Sequence, residues 1–254
     1  MPLLLEVNQA SKIFGGLKAL DGVSMEVREG EIFGLIGPNG AGKTTLFNLV
    51  SGALPVSGGR IFFRQKEISL LPDYRICRLG IARTYQNIRL FGKMTVLENV
   101  MVGRHSRTRG GLWSTVLRLP GGRAEKARSR KIAEGWLEFF HLLAKKEEKA
   151  SNLAYGEERR LEMARALATE PSLLLLDEPS AGMNPQEVRD LNDLILKIRK
   201  QGKTIFIIEH NMRVIMDICD RIAVLDFGQK IAEGPPAEVR ANPRVIEAYL
   251  GREA

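Results

Sequence analysis

The sequence predicts an α/β protein with a mainly parallel core sheet and an inserted helical subdomain. Three observations predict it. A short apolar run, Glu31-Ile32-Phe33-Gly34-Leu35-Ile36, feeds a glycine-rich loop and then a helix-patterned segment. A second run, Leu173 to Leu176, ends on the acidic pair Asp177-Glu178, and a third, Thr204 to Ile208, follows a helix. Between the first and the second, the block from about 87 to 165 reads as helical. Strands that alternate with helices imply a parallel sheet, because parallel neighbours need a crossover connection.

Each element has its own signal. Leu3 to Phe14 and Leu20 to Val27 read as strands, separated by Gly15-Gly16 and closed by the turn Arg28-Glu29-Gly30. After the glycine loop, Thr45, Leu46, Leu49 and Val50 recur at helical spacing, and Gly52 ends the helix. Leu71 to Leu79 reads as a short helix closed by Gly80, and Ile81 to Tyr85 as a strand leading to Gln86. Thr95-Val96-Leu97-Glu98 is a capping box that opens a helix. The stretch Arg104 to Arg123 is basic and broken by glycine, and Ala124 to about Leu143 is helical. Trp113 and Leu112 give the basic stretch an apolar anchor, an interface-like mix that suits a membrane partner or an anionic membrane surface, with a solvated, disordered loop as the equal alternative. Lys145 to Lys149 reads as a solvated connection. Asn184 is a good N-cap, with Pro185 first and Glu187 third in the helix that follows. Ile222 to Leu225 and Gln229 to Ala232 flank Asp226-Phe227-Gly228, a hairpin turn.

Composition narrows the class. The 254 residues are 44% hydrophobic and 27% charged, which excludes collagen-like, disordered and disulfide-scaffold chains. Cys77 and Cys219 stand far apart and read as reduced thiols. No apolar run approaches the ~20 residues that cross a bilayer. The start Met1 to Glu6 has neither a basic leader nor a long apolar core, so it reads as no signal peptide. A cytosolic chain is expected unless a partner holds it to a membrane. The net charge of +8 suits nucleic acid, an anionic membrane surface or polyphosphate, and does not choose among them.

The loop Gly37-Pro38-Asn39-Gly40-Ala41-Gly42-Lys43-Thr44-Thr45 carries the strongest chemical signal. Its glycines let the backbone wrap a phosphate, and the following helix end favours the anion. In this pattern Lys43 reaches the β- and γ-phosphates and the Thr44 hydroxyl binds Mg²⁺. Asp177 stands at the carboxyl end of a buried strand, where it can hold Mg²⁺ through water. Glu178, one residue on, can polarise the water that attacks the γ-phosphate.

With these motifs the chain resembles the ATP-binding cassette (ABC) ATPases over nearly its whole length. Gln86 follows a strand, as does that family's metal- and water-sensing glutamine. His210 lies 33 residues after Asp177 and matches the switch histidine that contacts the γ-phosphate. Leu153-Ala154-Tyr155-Gly156-Glu157 occupies the place of the signature usually written L-S-G-G-Q, and departs from it at Ala154, Tyr155 and Glu157. Pro179 to Asn184 matches the loop after the second acidic motif, with Asn184 where many relatives have Asp. Phe14 resembles the aromatic on which adenine stacks. His105 and His141 have no clustered ligands and read as ordinary histidines. The run Ser151 to Glu162, with Ala181-Gly182-Met183-Asn184-Pro185 and Glu209-His210-Asn211-Met212, looks like an ATPase subunit of branched-chain amino-acid importers.

The resemblance implies a P-loop NTPase (RecA-like) core sheet, an inserted α-helical subdomain and an N-terminal antiparallel β region. The core would be about 1–86 and 166–254, the subdomain about 87–165. It implies ATP and Mg²⁺ as cofactors, with Phe14, Gly37, Asn39, Gly40, Gly42, Lys43, Thr44, Thr45 and Gly156 on the nucleotide. Thr44, Gln86 and Asp177 would hold the metal, and Glu178, His210 and Gln86 would act in hydrolysis. The implied partners are transmembrane permease subunits, a second ATPase subunit arranged head to tail, and indirectly an extracytoplasmic substrate-binding protein, but no nucleic acid. The implied place is the cytoplasmic face of the inner (cell) membrane. The alternatives are a soluble ABC ATPase acting on nucleic acid or ribosomes, and a cassette for lipopolysaccharide export.

Overall fold

The computed structural model describes residues 1–105 and 120–250, with side chains between 106 and 123 and beyond 249 left aside. Most of the basic stretch Arg104 to Arg123, including Leu112 and Trp113, therefore lies outside the described residues. The ten strands form two sheets. An antiparallel sheet runs in the order β2 (Leu17–Arg28), β1 (Leu3–Phe14), β4 (Gly58–Phe63), β5 (Lys66–Glu67). The core sheet runs β10 (Gln229–Gly234), β9 (Arg221–Asp226), β3 (Ile32–Ile36), β8 (Thr204–Ile208), β7 (Leu173–Asp177), β6 (Ile81–Arg83). From β9 to β6 its neighbours are parallel, and β10 closes one edge as the antiparallel arm of the Asp226-Phe227-Gly228 hairpin.

The apolar runs are unbroken because both faces of the core sheet are covered. Successive side chains point to opposite faces. Leu174, Leu176, Ile205, Ile207, Ile222 and Val224 join a core with the helices on one side. Leu173, Leu175, Phe206, Ile208, Ala223 and Leu225 join a second core with β1, β2, β4 and α1 (Lys43–Val50) on the other. Phe33 and Phe47 both meet the Phe206 ring edge to face, at 5.4 and 4.7 Å between centroids.

Between β6 and β7 the described residues are mainly helical. Here lie α3 (Val96–Arg104), α4 (Pro120–Phe139) and α5 (Tyr155–Leu167), following α2 (Asp73–Leu79). The Thr95 capping box forms: its hydroxyl accepts from Glu98 N–H at 3.1 Å and the Glu98 carboxylate accepts from Thr95 N–H at 2.8 Å. Beyond β7 come α6 (Pro185–Lys200), capped by Asn184 on Gln186 and Glu187, then α7 (Met212–Ile218), α8 (Pro236–Ala241) and α9 (Pro243–Leu250). Neither thiol is in a disulfide; Cys77 on α2 is half-buried and Cys219 is buried.

The connection Lys145 to Lys149 is solvated at Glu147, Glu148 and Lys149, and its first two lysines are paired: Lys146 reaches Glu134 at 2.9 Å and Lys145 reaches Glu157 at 2.8 Å. The helix in the signature segment begins at Tyr155. No described helix is long and apolar enough to cross a membrane.

Candidate active site

Four core strands deliver their following loops to one edge of the sheet, the carboxyl edge at which open α/β sheets bind ligands. β3 delivers the glycine loop, β6 delivers Gln86, β7 delivers Glu178 and β8 delivers His210. The loops enclose a pocket of about 390 Å³ lined by Asn39, Gly40, Gly42, Lys43, Thr44, Thr45, Gln86, Glu178 and His210. Leu17, Phe227 and Gly228 complete its wall.

Gly37 shapes the loop from below. A Cβ there would stand 2.1 Å from the Leu225 carbonyl oxygen, so only glycine lets the loop lie this close to β9. Lys43 is buried and folds back, donating to the carbonyls of Gly37 and Pro38 at 2.7 and 2.9 Å. The ammonium is thus already aimed along the inside of the loop, and α1 starts at the same residue.

Glu178 sits at φ +48°, a left-handed conformation that costs a non-glycine residue roughly 1–3 kcal/mol. Its N–H is held by the Ile208 carbonyl at 2.9 Å. One carboxylate oxygen accepts from Gln86 Nε2 at 2.7 Å and the other lies 2.6 Å from His210 Nε2. Three chemically different loops therefore meet on one carboxylate. Glu209 braces them from behind: it is buried, and its oxygens accept from the N–H groups of Ser180 and His210 at 2.7 and 3.2 Å.

Asp177 is buried, and one oxygen takes a 2.7 Å bond from Arg83, which also donates to Asn48 and Ser51. The other, Oδ1, is buried without a hydrogen-bond partner among the described residues. That free oxygen, the Thr44 hydroxyl and the Gln86 amide oxygen are the hard donors that Mg²⁺ takes. No group of three or more His, Cys, Asp or Glu gathers among the described residues.

Two expected nucleotide contacts stand apart. Phe14 is 44% exposed at the end of β1, with the Lys12 ammonium 5.2 Å from its ring centroid, and Leu17 lines the pocket instead. Gly156 opens α5 and faces Glu187, Arg160 and Met183 in a separate cavity of about 360 Å³. Sequence reasoning also passed over Arg83, Arg159 and Glu209. Each makes at least one bond to a residue far along the chain, Arg83 to Asp177, Arg159 to Tyr85 and Glu209 to Ser180, which no local spacing marks.

An open, largely parallel sheet with a glycine loop between β3 and α1 and a strand-end carboxylate beside it defines an ATP-hydrolysing P-loop domain. The chain belongs to the ABC transporter family, whose profile matches residues 20–181. A second profile, described as branched-chain amino acid ATP-binding cassette transporter, matches residues 229–254. The high-affinity branched-chain amino acid transport ATP-binding protein LivG of Salmonella typhimurium is 48% identical over 249 residues, 98% of each chain. LivG of Escherichia coli is 46% identical and BraF of Pseudomonas aeruginosa 43%, again over 98% of each chain. Among solved structures, a nucleotide-free ATP-binding cassette from an ABC transporter superposes with a TM-score of 0.85 at 34% identity, covering 97% of this chain and 98% of that one. The ADP conformation of another such cassette gives 0.85 at 32% identity, covering 99% and 100%. The protein is an ATPase subunit of a transporter, and its hydrolysis serves transport.

Proposed function

We propose that this chain is the ATP-hydrolysing subunit of a branched-chain amino-acid importer, held at the cytoplasmic face of the cell membrane by permease subunits. The observation that carries this reading is the nearly end-to-end similarity to LivG and BraF, which includes the carboxyl-terminal segment. The extracytoplasmic binding protein that hands over the amino acid touches the permeases, so no amino-acid pocket is needed here.

In this reading the N–H groups of residues 39–45 wrap the phosphates and Lys43 swings from the Gly37 and Pro38 carbonyls to the β- and γ-oxygens. Thr44, Gln86 and Asp177 would hold Mg²⁺, which would supply charge neutralisation at the β- and γ-phosphates. Glu178 accepts the proton of the attacking water. His210 orients that carboxylate and touches the γ-phosphate. Phe14 and Leu17 flank the base. Gly156 contributes nothing to the pocket of its own chain, which supports a head-to-tail pair in which each signature segment completes the other copy's site.

The segment from about 87 to 165 is proposed as the subdomain that passes this closure to the permeases. Its junction with the core is a groove of about 480 Å³ lined by Tyr74, Cys77, Phe91, Val102 and the arginines Arg83, Arg89 and Arg165. Tyr74 and Phe91 are 55% and 47% exposed, an aromatic-and-arginine composition typical of interfaces. Purification from membranes tests the assignment. Co-purifying permeases, and ATP-dependent uptake of labelled leucine, isoleucine and valine in proteoliposomes, support it. Ribosomes or DNA in the preparation, or uptake of urea or amides alone, overturn it.

A further inference from the structure

The residue that departs most from the usual signature is wired into the catalytic loops of its own chain. The Tyr155 hydroxyl donates to the Ala181 carbonyl at 3.0 Å and accepts from Arg159 Nη2 at 3.1 Å. Its ring lies against Gly182, where a Cβ would stand 3.3 Å from Cε1. Arg159 is buried; it donates to the Tyr85 carbonyl at 2.7 Å and also to the Gln86 carbonyl. The Gln86 side chain in turn donates to Glu178, and Ala181 N–H donates to the Glu178 carbonyl at 3.2 Å.

These bonds close a ring: Tyr155, Ala181, Glu178, Gln86, Arg159 and back to Tyr155. Three links join groups far apart in sequence, Tyr155 to Ala181, Glu178 to Gln86 and Gln86 to Arg159, while Ala181 to Glu178 and Arg159 to Tyr155 are local. The Arg159 side chain itself is buried, where a broken link leaves a costly orphan. Tyr155 is 44% exposed, next to Gly156 at the start of α5, and Gln86 is the other exposed member. A glycine in this position could form neither the hydroxyl bonds nor the ring contact.

We propose that Tyr155 and Arg159 are positioning residues that couple the two ATP sites of the dimer. The inference rests on the head-to-tail reading above. When the signature segment of one copy meets nucleotide held by the other, the shift of α5 moves Tyr155, and the ring carries that shift to Glu178 and Gln86 of its own site. Each site then reaches its catalytic geometry only when the other is filled, so hydrolysis is cooperative in ATP.

The test compares the wild-type full chain with Tyr155→Phe, which deletes one oxygen and keeps the ring. Steady-state hydrolysis by the wild type is expected to show a Hill coefficient approaching 2, the number of sites. Tyr155→Phe is expected to lower it to about 1 and kcat about tenfold, while the monomer keeps its affinity for a fluorescent ATP analogue. Arg159→Lys, which cannot grip two carbonyls and a hydroxyl together, should do the same. A wild-type Hill coefficient of 1, or Tyr155→Phe with unchanged Hill coefficient and kcat, overturns the coupling. The dimer reading is checked separately by sizing Glu178→Gln with ATP. If ATP drives no dimer, that reading fails and takes the coupling with it; if it drives one and Tyr155→Phe behaves as wild type, only the coupling fails.

Discussion

The carboxyl edge of the core sheet and the start of α5 carry two halves of one chemistry in different states of completion. At the sheet edge the side chains are already in contact with one another: Glu178 is bonded by Gln86 and His210, and Lys43 donates to the carbonyls of its loop. At α5 the N-cap is Ala154, which has no side-chain acceptor, and the helix start is held instead by Glu157 reaching back to Ala154 N–H at 3.1 Å. The edge has its own pocket, whereas the α5 residues face outward or into a cavity beside α6. The difference teaches that one half carries its own contacts within the chain. The other half is built to be finished by contact with something else.

The largest blow to the assembled half is Glu178→Gln. It keeps the shape and removes the base, so turnover should fall by about 10²–10⁴ while ATP binding persists. Hydrolysis at the wild-type rate in the assembled transporter would show that the edge is not the catalytic half. Gly156→Asp attacks the other half. It sets a carboxylate where the Glu187 oxygen lies 3.3 Å from the new Cβ and where the partner's phosphates would approach. Hydrolysis by the reconstituted complex is expected to drop about 10²-fold, the scale of losing a preorganised donor, with ATP affinity of the isolated chain unchanged. An active variant would mean that α5 does not complete the site.

Lys43→Ala should weaken nucleotide binding by roughly tenfold or more, since a charge-assisted bond contributes ~1.5–3 kcal/mol. Titration with a fluorescent ATP analogue reads this directly, and equal affinity would contradict the phosphate-loop role. The smallest effect lies at the start of α5. The hydrogen bond from Lys145 holds the Glu157 carboxyl below the usual carboxylate range. A depressed carboxyl adds stability above its unfolded value near 4.3, and that contribution disappears as the pH falls through the folded value. Lys145→Met should therefore lower the urea midpoint slightly at pH 7, and the gap to wild type should narrow below about pH 4. A gap that widens in acid would refute this account of the helix start.

Much of the core was legible because its signals are local. The strand periods, the capping boxes at Thr95 and Asn184, and the Asp226-Phe227-Gly228 turn all sit within a few residues of the elements they specify. β4 and β5 were not legible: Gly58–Phe63 opens on two glycines and gains strand character only by pairing with β1. The short helices α7, α8 and α9 are set by packing against the sheet rather than by propensity. In the site, the residue types were readable while their mutual bonds were not. Arg159 and Tyr85 lie 74 positions apart, and Arg83 and Asp177 lie 94 apart. Nothing in either neighbourhood announces the other.

The two thiols lead somewhere practical. Burial drives the Cys219 sulfhydryl far above its usual titration range, and the side chain packs beneath Gly34, out of reach of reagents. Cys77 lies half-buried in the wall of the groove proposed above as the subdomain junction. The sequence thus carries its own labelling point: a maleimide dye should attach at one place, without engineering, and a change in its brightness on adding permease would test whether a partner helix docks there.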